Sequence, residues 1–207
     1  MATRLATVHN LLAIARSNYA DRPLPCLAHC EATFLLQHDS AAIPGVTGYI
    51  QNMLLQVHPW SENTLMRLGI AVHEAVVNAI YHGNLEISSD HREGDTPDFD
   101  ILAEQRRQLT PYADRHVTIS ARVSHFETVI SVRDDGPGFD LSRVPDPTDP
   151  ENLEKVSGRG LFLIRTFLDD VQFNDRGNEI TMVKRREMTS NAASAQPDGS
   201  NAAAMGP

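Results

Sequence analysis

A two-layer α+β sandwich, one sheet covered on one face by helices, is the fold that the sequence predicts. Three observations predict it. Two stretches, 44–57 and 62–82, carry apolar residues at helical spacing. Two later stretches, 116–123 and 126–133, alternate apolar and polar residues as half-buried strands do. A last hairpin pairs 171–174 with 179–185. Helices and antiparallel strands are therefore partly segregated along the chain.

The 207 residues suit one domain with appendages. Residues 1–30 form an N-terminal extension, in which Val8 to Ala15 is a candidate short helix broken by Arg22 to Pro25. The domain proper spans 31–186 and opens on a strand, Thr33 to His38. Pro44-Gly45 begins the first long helix, with Val46, Tyr49, Ile50, Met53, Leu54 and Val57 on its apolar side, and Pro59 stops it. Ser61 is the N-cap of a second helix, Glu62 to His82. Its buried stripe is Leu65, Leu68, Val72, Val76 and Ala79, and Gly83 supplies the C-terminal stop.

Leu85 to Arg115 is a polar insertion holding a short helix, Phe99 to Leu109, capped by Asp98. His116 to Val123 and Phe126 to Arg133 then form a hairpin around the two-residue loop Ser124-His125. A loop rich in Asp and Pro, Leu141 to Ser157, leads to a helix, Arg159 to Leu168. The last hairpin turns near Gly177. Residues 187–207 are rich in Ala, Ser, Asn, Gly and Pro without apolar periodicity, so a disordered tail is expected.

Composition excludes several function classes. The net charge is −9 and no basic stripe appears, which argues against nucleic acid as a partner. No apolar run is long enough to span a bilayer, and Met1 to Asn10 lacks the apolar core of a signal peptide, so a cytoplasmic location without membrane contact is expected. Cys26, His29 and Cys30 fall short of the four ligands of a structural zinc site, so two reduced thiols are expected.

Three segments carry chemistry. In the run His73 to Asn84, Glu74 and Asn78 stand four apart on one helical face, opposite the apolar stripe. A carboxamide oxygen can ligate a hard cation, and a carboxylate can accept a proton. Magnesium suits the pair, because it keeps several waters and takes one or two protein oxygens beside substrate phosphates. A solvated helical face is the ordinary alternative. The second segment, Val132 to Phe139, places Asp134 at a strand end, followed by Gly136 and Gly138. That carboxylate can accept from the exocyclic amine that distinguishes adenine, and the glycines let backbone approach a flat ligand. An Asp-Gly turn is the alternative. The third segment, Ser157 to Ile164, opens a helix on Gly158-Arg159-Gly160-Leu161, whose free N–H groups and dipole favour phosphate. A glycine-rich helix start with no ligand is the alternative. Their joint occurrence on the expected elements favours nucleotide binding. A P-loop run and the protein-kinase signature set are both absent.

Together these segments resemble the ATPase superfamily of gyrase, heat-shock chaperone, histidine kinase and mismatch-repair proteins. Glu74-x-x-x-Asn78 is similar to its N box, Asp134-x-Gly136-x-Gly138 to its first glycine box, and Gly158-x-Gly160-Leu161 to its second. Within it, the size and the run Asn78 to Asn84 resemble anti-sigma factor serine kinases. The resemblance implies the histidine kinase-like ATPase fold, with a mixed and mostly antiparallel sheet. It implies ATP and magnesium, with Glu74 as general base or orienting carboxylate, Asn78 on the metal, Asp134 on the adenine amine and Gly138 against the base. It further implies an ATP lid over 141–157, Gly158 and Gly160 under the phosphates, and Lys155, Arg159 and Arg165 as candidate phosphate charges. The family often has Gly-Thr entering its last strand; this chain has Gly177-Asn178, so Asn178 would stand in for that threonine. The insertion at 85–115 is also long for a minimal member. The implied activity is serine/threonine phosphotransfer to a small anti-sigma factor antagonist. A sigma factor is a further implied partner and a homodimer the implied assembly. A nucleotide-controlled binding module without phosphotransfer and an ATP-hydrolysing dimerisation switch are the competing readings.

Overall fold

The computed structural model describes residues 23–24, 26–88, 98–139 and 159–186. The expected helix at Val8 to Ala15, the loop Leu141 to Ser157 and the tail lie outside the described residues. In chain order the elements are β1 (His29–Leu36), α1 (Ile43–Val57), α2 (Glu62–Asn78), a π-helical turn (Ala79–Asn84) and α3 (Asp98–Arg107). There follow β2 (Val117–Ser124), β3 (Glu127–Asp134), α4 (Arg159–Phe167), β4 (Asp170–Phe173) and β5 (Glu179–Arg185). Short 3-10 turns at Ser40–Ala42 and Tyr112–Asp114 complete the set.

The strands form one sheet in the order β1-β2-β3-β5-β4, every pairing antiparallel. Alternation sorts each strand into two faces. Ile119 pairs with Val132, and Ala121 with Ile130, and all four are buried. The helices cover this face with Ile50, Leu54, Leu68, Val76 and Ile164, each at most 2% exposed. The other face carries a row of small hydroxyl residues, Thr33, Ser120, Ser131 and Thr181, paired strand to strand. One apolar face and one polar face require a single covering layer, which is the predicted α+β sandwich.

The capping chemistry explains where the helices begin. Ser61 is extended, its hydroxyl accepts from Thr64 N at 3.1 Å, and Glu62 sits in the first turn, favourable for the helix dipole. Pro44 lies in the first turn of α1, where no N–H is needed. Among the described residues no helix is long and apolar enough to cross a membrane.

Several boundaries differ from the sequence-based expectation, and four of the differences are instructive. β1 begins at His29 rather than Thr33, so Cys30 pairs with Val123 on the sheet, while Cys26 is exposed; both thiols are free. Strand pairing extends through Cys-Glu-Ala, a stretch with no strong apolar alternation of its own. The β2–β3 loop is His125-Phe126, one residue later than expected. Ser124 remains in β2 and ties the turn, its hydroxyl donating to Glu127 O at 2.9 Å. Gly83 does not end the second helix in a left-handed conformation; the helix widens into the π turn and Gly83 lies inside it. β3 runs one residue further than expected and ends on Asp134 itself.

Candidate functional site

The helical run from α2 through the π turn joins the three segments, the third meeting α2 and the second meeting the turn. Glu74 and Asn78 face the first turn of α4. A Cβ on Gly160 would lie 2.7 Å from Glu74 Oε2 and 3.5 Å from Asn78 Nδ2. A side chain at position 160 would displace the end of the Glu74 side chain from the start of α4. Neither side chain makes a hydrogen bond or ion pair among the described residues. Both therefore keep their lone pairs for an incoming group. The buried residues Ala71, Ala75 and Val76 hold this stretch of α2 on the core.

At the far end of the same helical run lies Asp134. It ends β3 opposite Val117, and only 8% of it is exposed. Its Oδ1 accepts from Gly136 N at 2.9 Å. Gly83 presses its backbone against this carboxylate, and Gly136 in turn lies against the carbonyl of Gly83; a Cβ on either would overlap its neighbour. Burial pushes the Asp134 carboxyl up to about 6. The Gly136 and Asp134 N–H groups oppose the shift, the Asp135 charge adds to it, and Arg176 opposes it. A carboxylate so placed gains from any donor brought to its second oxygen.

Two loops interlock beside it. Gly138, at φ +80°, lies against the carbonyl of Arg176, and Gly177, at φ +73°, lies against that of Phe139. Arg176 Nη2 donates to Gly136 O at 2.9 Å. Asn178 is buried and its amide is engaged within the protein: Nδ2 donates to Asp134 O at 2.7 Å and Oδ1 accepts from Asn174 Nδ2 at 2.9 Å. Asn178 thus fixes the backbone behind Asp134 through its side chain. Asn84, fully buried, accepts from Asp135 N at 2.9 Å through Oδ1 and ties the π turn to the end of β3.

The structure brings Glu74, Asn78 and Gly160 together at one end of this run, and Asp134, Gly136, Gly138 and Asn178 together at the other. Glu74 and Gly83 stand nine residues apart, roughly 13 Å at the rise of an α-helix. Arg159 is exposed at the start of α4 and Leu161 is half-buried behind it. Arg165 lies in the last turn of α4, at the end away from Glu74. Lys155 and Gly158 lie outside the described residues. Gly83 was read only as a helix stop, and Asn84 and Arg176 were given no role of their own by sequence reasoning. Gly83 and Asn84 lie within the Asn78 to Asn84 run, which was the available signal, whereas an arginine bound to backbone carbonyls has none.

A histidine kinase-like ATPase domain matches residues 36–184, most of the chain. The chain belongs to the histidine kinase-like ATPase domain family. It is also similar to a protein named serine-protein kinase RsbW from Oceanobacillus iheyensis, 26% identical over 132 residues, which cover 61% of this chain and 68% of that protein. The family is a histidine kinase-like ATPase family, which implies ATP as the nucleotide. The residues fit it: a buried carboxylate at a strand end, and glycine backbones where any Cβ would intrude. Magnesium fits as well. Asn78 has an amide oxygen with no hydrogen bond among the described residues, and magnesium takes one or two protein oxygens beside substrate phosphates.

Proposed function

We propose that this protein is an ATP- and magnesium-dependent serine/threonine protein kinase of the anti-sigma factor type, acting on a small antagonist protein in a regulatory switch. The single observation that carries this reading is the pair Glu74 and Asn78 held against Gly160 at the start of α4. A binding module needs adenine and phosphate contacts, but it has no use for an unpaired carboxylate beside the phosphate end.

Bound ATP supplies the phosphoryl group, and magnesium neutralises the charge that develops on it. In this reading Asp134 accepts from the adenine amine, and Gly136 and Gly138 let backbone lie along the base. Asn78 offers its amide oxygen to the metal. The N–H groups at Gly158 and Gly160, with Arg159 and Lys155, meet the phosphates. Glu74 orients the serine or threonine hydroxyl and takes its proton as that oxygen bonds to the γ-phosphorus and the bond from the γ-phosphorus to the leaving ADP breaks. The segment 141–157 acts as the lid. The antagonist is the phosphate acceptor, a sigma factor is the second protein partner, the assembly is a homodimer, and the setting is the cytoplasm.

The test is incubation with labelled ATP, magnesium and candidate antagonist proteins, followed by mapping of the phosphosite. Label on one serine or threonine, lost in Glu74→Gln while ATP binding persists, supports the kinase. ATP-dependent partner binding without transfer would replace it with the binding module.

A further inference from the structure

The last turn of α3 and the segment that follows it to β2 reach the base end of the site through two arginines, Arg106 and Arg115. Arg115, whose side chain is 16% exposed, donates from Nη1 to Asn84 O and to Glu86 Oε1, each at 2.7 Å. Arg106 donates from Nη1 to Leu85 O at 2.6 Å and to Glu86 O at 2.7 Å. Both guanidinium groups also lie over the Tyr112 ring, 5.2 Å and 5.0 Å from its centroid. Three successive carbonyls after the π turn are thereby satisfied by side chains from the insertion. Such carbonyls have no partner within the helix that ends there.

The corner needs this support. Glu86 has φ +52°, a conformation that residues other than glycine rarely adopt. Its neighbours bear directly on Asp134. Asn84 Oδ1 holds Asp135 N, Asp135 Oδ2 accepts from His116 N at 2.9 Å at the entry to β2, and Gly83 backs the Asp134 carboxylate. A shift of the 84–86 corner therefore moves the group on which adenine would depend, without touching Glu74 or Asn78.

We propose that residues 98–115 of the insertion brace the base end of the nucleotide site, and that Arg115, assisted by Arg106, is a positioning residue for base selectivity acting through Asn84. This rests on the reading of Asp134 as the adenine acceptor. The brace adds to the site a specificity determinant outside the motifs that bind nucleotide.

Titration calorimetry of the full chain with ATP and with GTP tests it, using the wild type, Arg115→Ala, Arg115→Lys and Arg106→Ala. ATP affinity should fall about tenfold in Arg115→Ala, the scale of one lost hydrogen bond to a charged group, while GTP affinity changes less than twofold. Arg115→Lys, which keeps a donor for Asn84 O, should recover most of the loss. Arg106→Ala should shift the ATP-to-GTP ratio in the same direction and serves if Arg115→Ala does not fold. Equal losses for both nucleotides, or an unchanged ratio in either alanine variant, overturn the brace. Wild-type protein that binds ATP and GTP alike overturns the Asp134 reading first, and the brace with it.

Discussion

In the proposed reading, Asp134 serves binding at the expense of folding. Its carboxyl in the folded chain titrates near 6, against an ordinary value of 3.8, because burial disfavours the charge. The native state therefore holds this proton more tightly than the unfolded chain. The destabilisation is absent below pH 3.8, grows as pH rises, and is complete above pH 6. It amounts to at most about 3 kcal/mol, and less where solvent reaches Oδ2. Asp134→Asn should remove it while keeping an acceptor for Gly136 N, so chemical denaturation at pH 7 should show a more stable apo protein. The same variant sets an amide N–H against the adenine amine, so ATP should bind at least tenfold more weakly and the preference over GTP should narrow. The pH dependence has the opposite sense for ligand. Affinity for adenosine, which has no phosphates to titrate, should fall about tenfold from pH 7 to pH 5 as Asp134 takes its proton, and calorimetry in Asp134→Asn should show that dependence flattened.

At the scale of elements, the contact between α2 and α4 is the one the proposed chemistry depends on, and Gly160 eases it. Gly160→Ala gains helix propensity, up to about 1 kcal/mol, and its new Cβ meets the end of the flexible Glu74 side chain rather than backbone. The variant should fold and bind ATP, while Glu74 is turned aside. Phosphotransfer should then fall about 100-fold or more, the range for a displaced general base, in an assay with the antagonist as acceptor. Most elements could be read from the sequence, because α1, α2 and the β2–β3 hairpin bury one face each and declare their period. Glu74, Asn78 and Asp134 could be read as candidates, since helical spacing and a strand end place them without tertiary information. The π turn could not be read. Gly83 follows a helix and suggests a stop, but its requirement comes from Asp134, on a strand distant in sequence. Arg106, Arg115 and Arg176 could not be read either, because they donate to backbone carbonyls, which carry no sequence signature. Asn178 was read as a ligand-facing residue; its amide is engaged between Asp134 O and Asn174.

Over the whole molecule, the same sheet and helices serve folding and site together. The α2 backbone that packs Leu68, Val72 and Val76 into the core also carries Glu74, Asn78 and the turn behind Asp134. Ligand binding and global stability are therefore measured on one scale. A ligand present at 100 times its dissociation constant stabilises the native state by about 2.7 kcal/mol, provided that it does not bind the unfolded chain. For a domain of this size each kcal/mol raises the melting temperature by about 2–4 °C, so saturating ATP should add about 5–10 °C. ADP should act similarly, since the base end is shared, and GTP at the same concentration should add little. Asp134→Asn should begin from a higher melting temperature without ligand and gain almost nothing from ATP. Glu74→Gln should begin close to wild type and keep the full ATP shift, because its loss concerns transfer rather than binding. A Glu74→Gln protein that loses the thermal shift would place the carboxylate in nucleotide binding and remove it from the role of base. An Asp134→Asn protein that keeps the whole shift would detach adenine recognition from the end of β3.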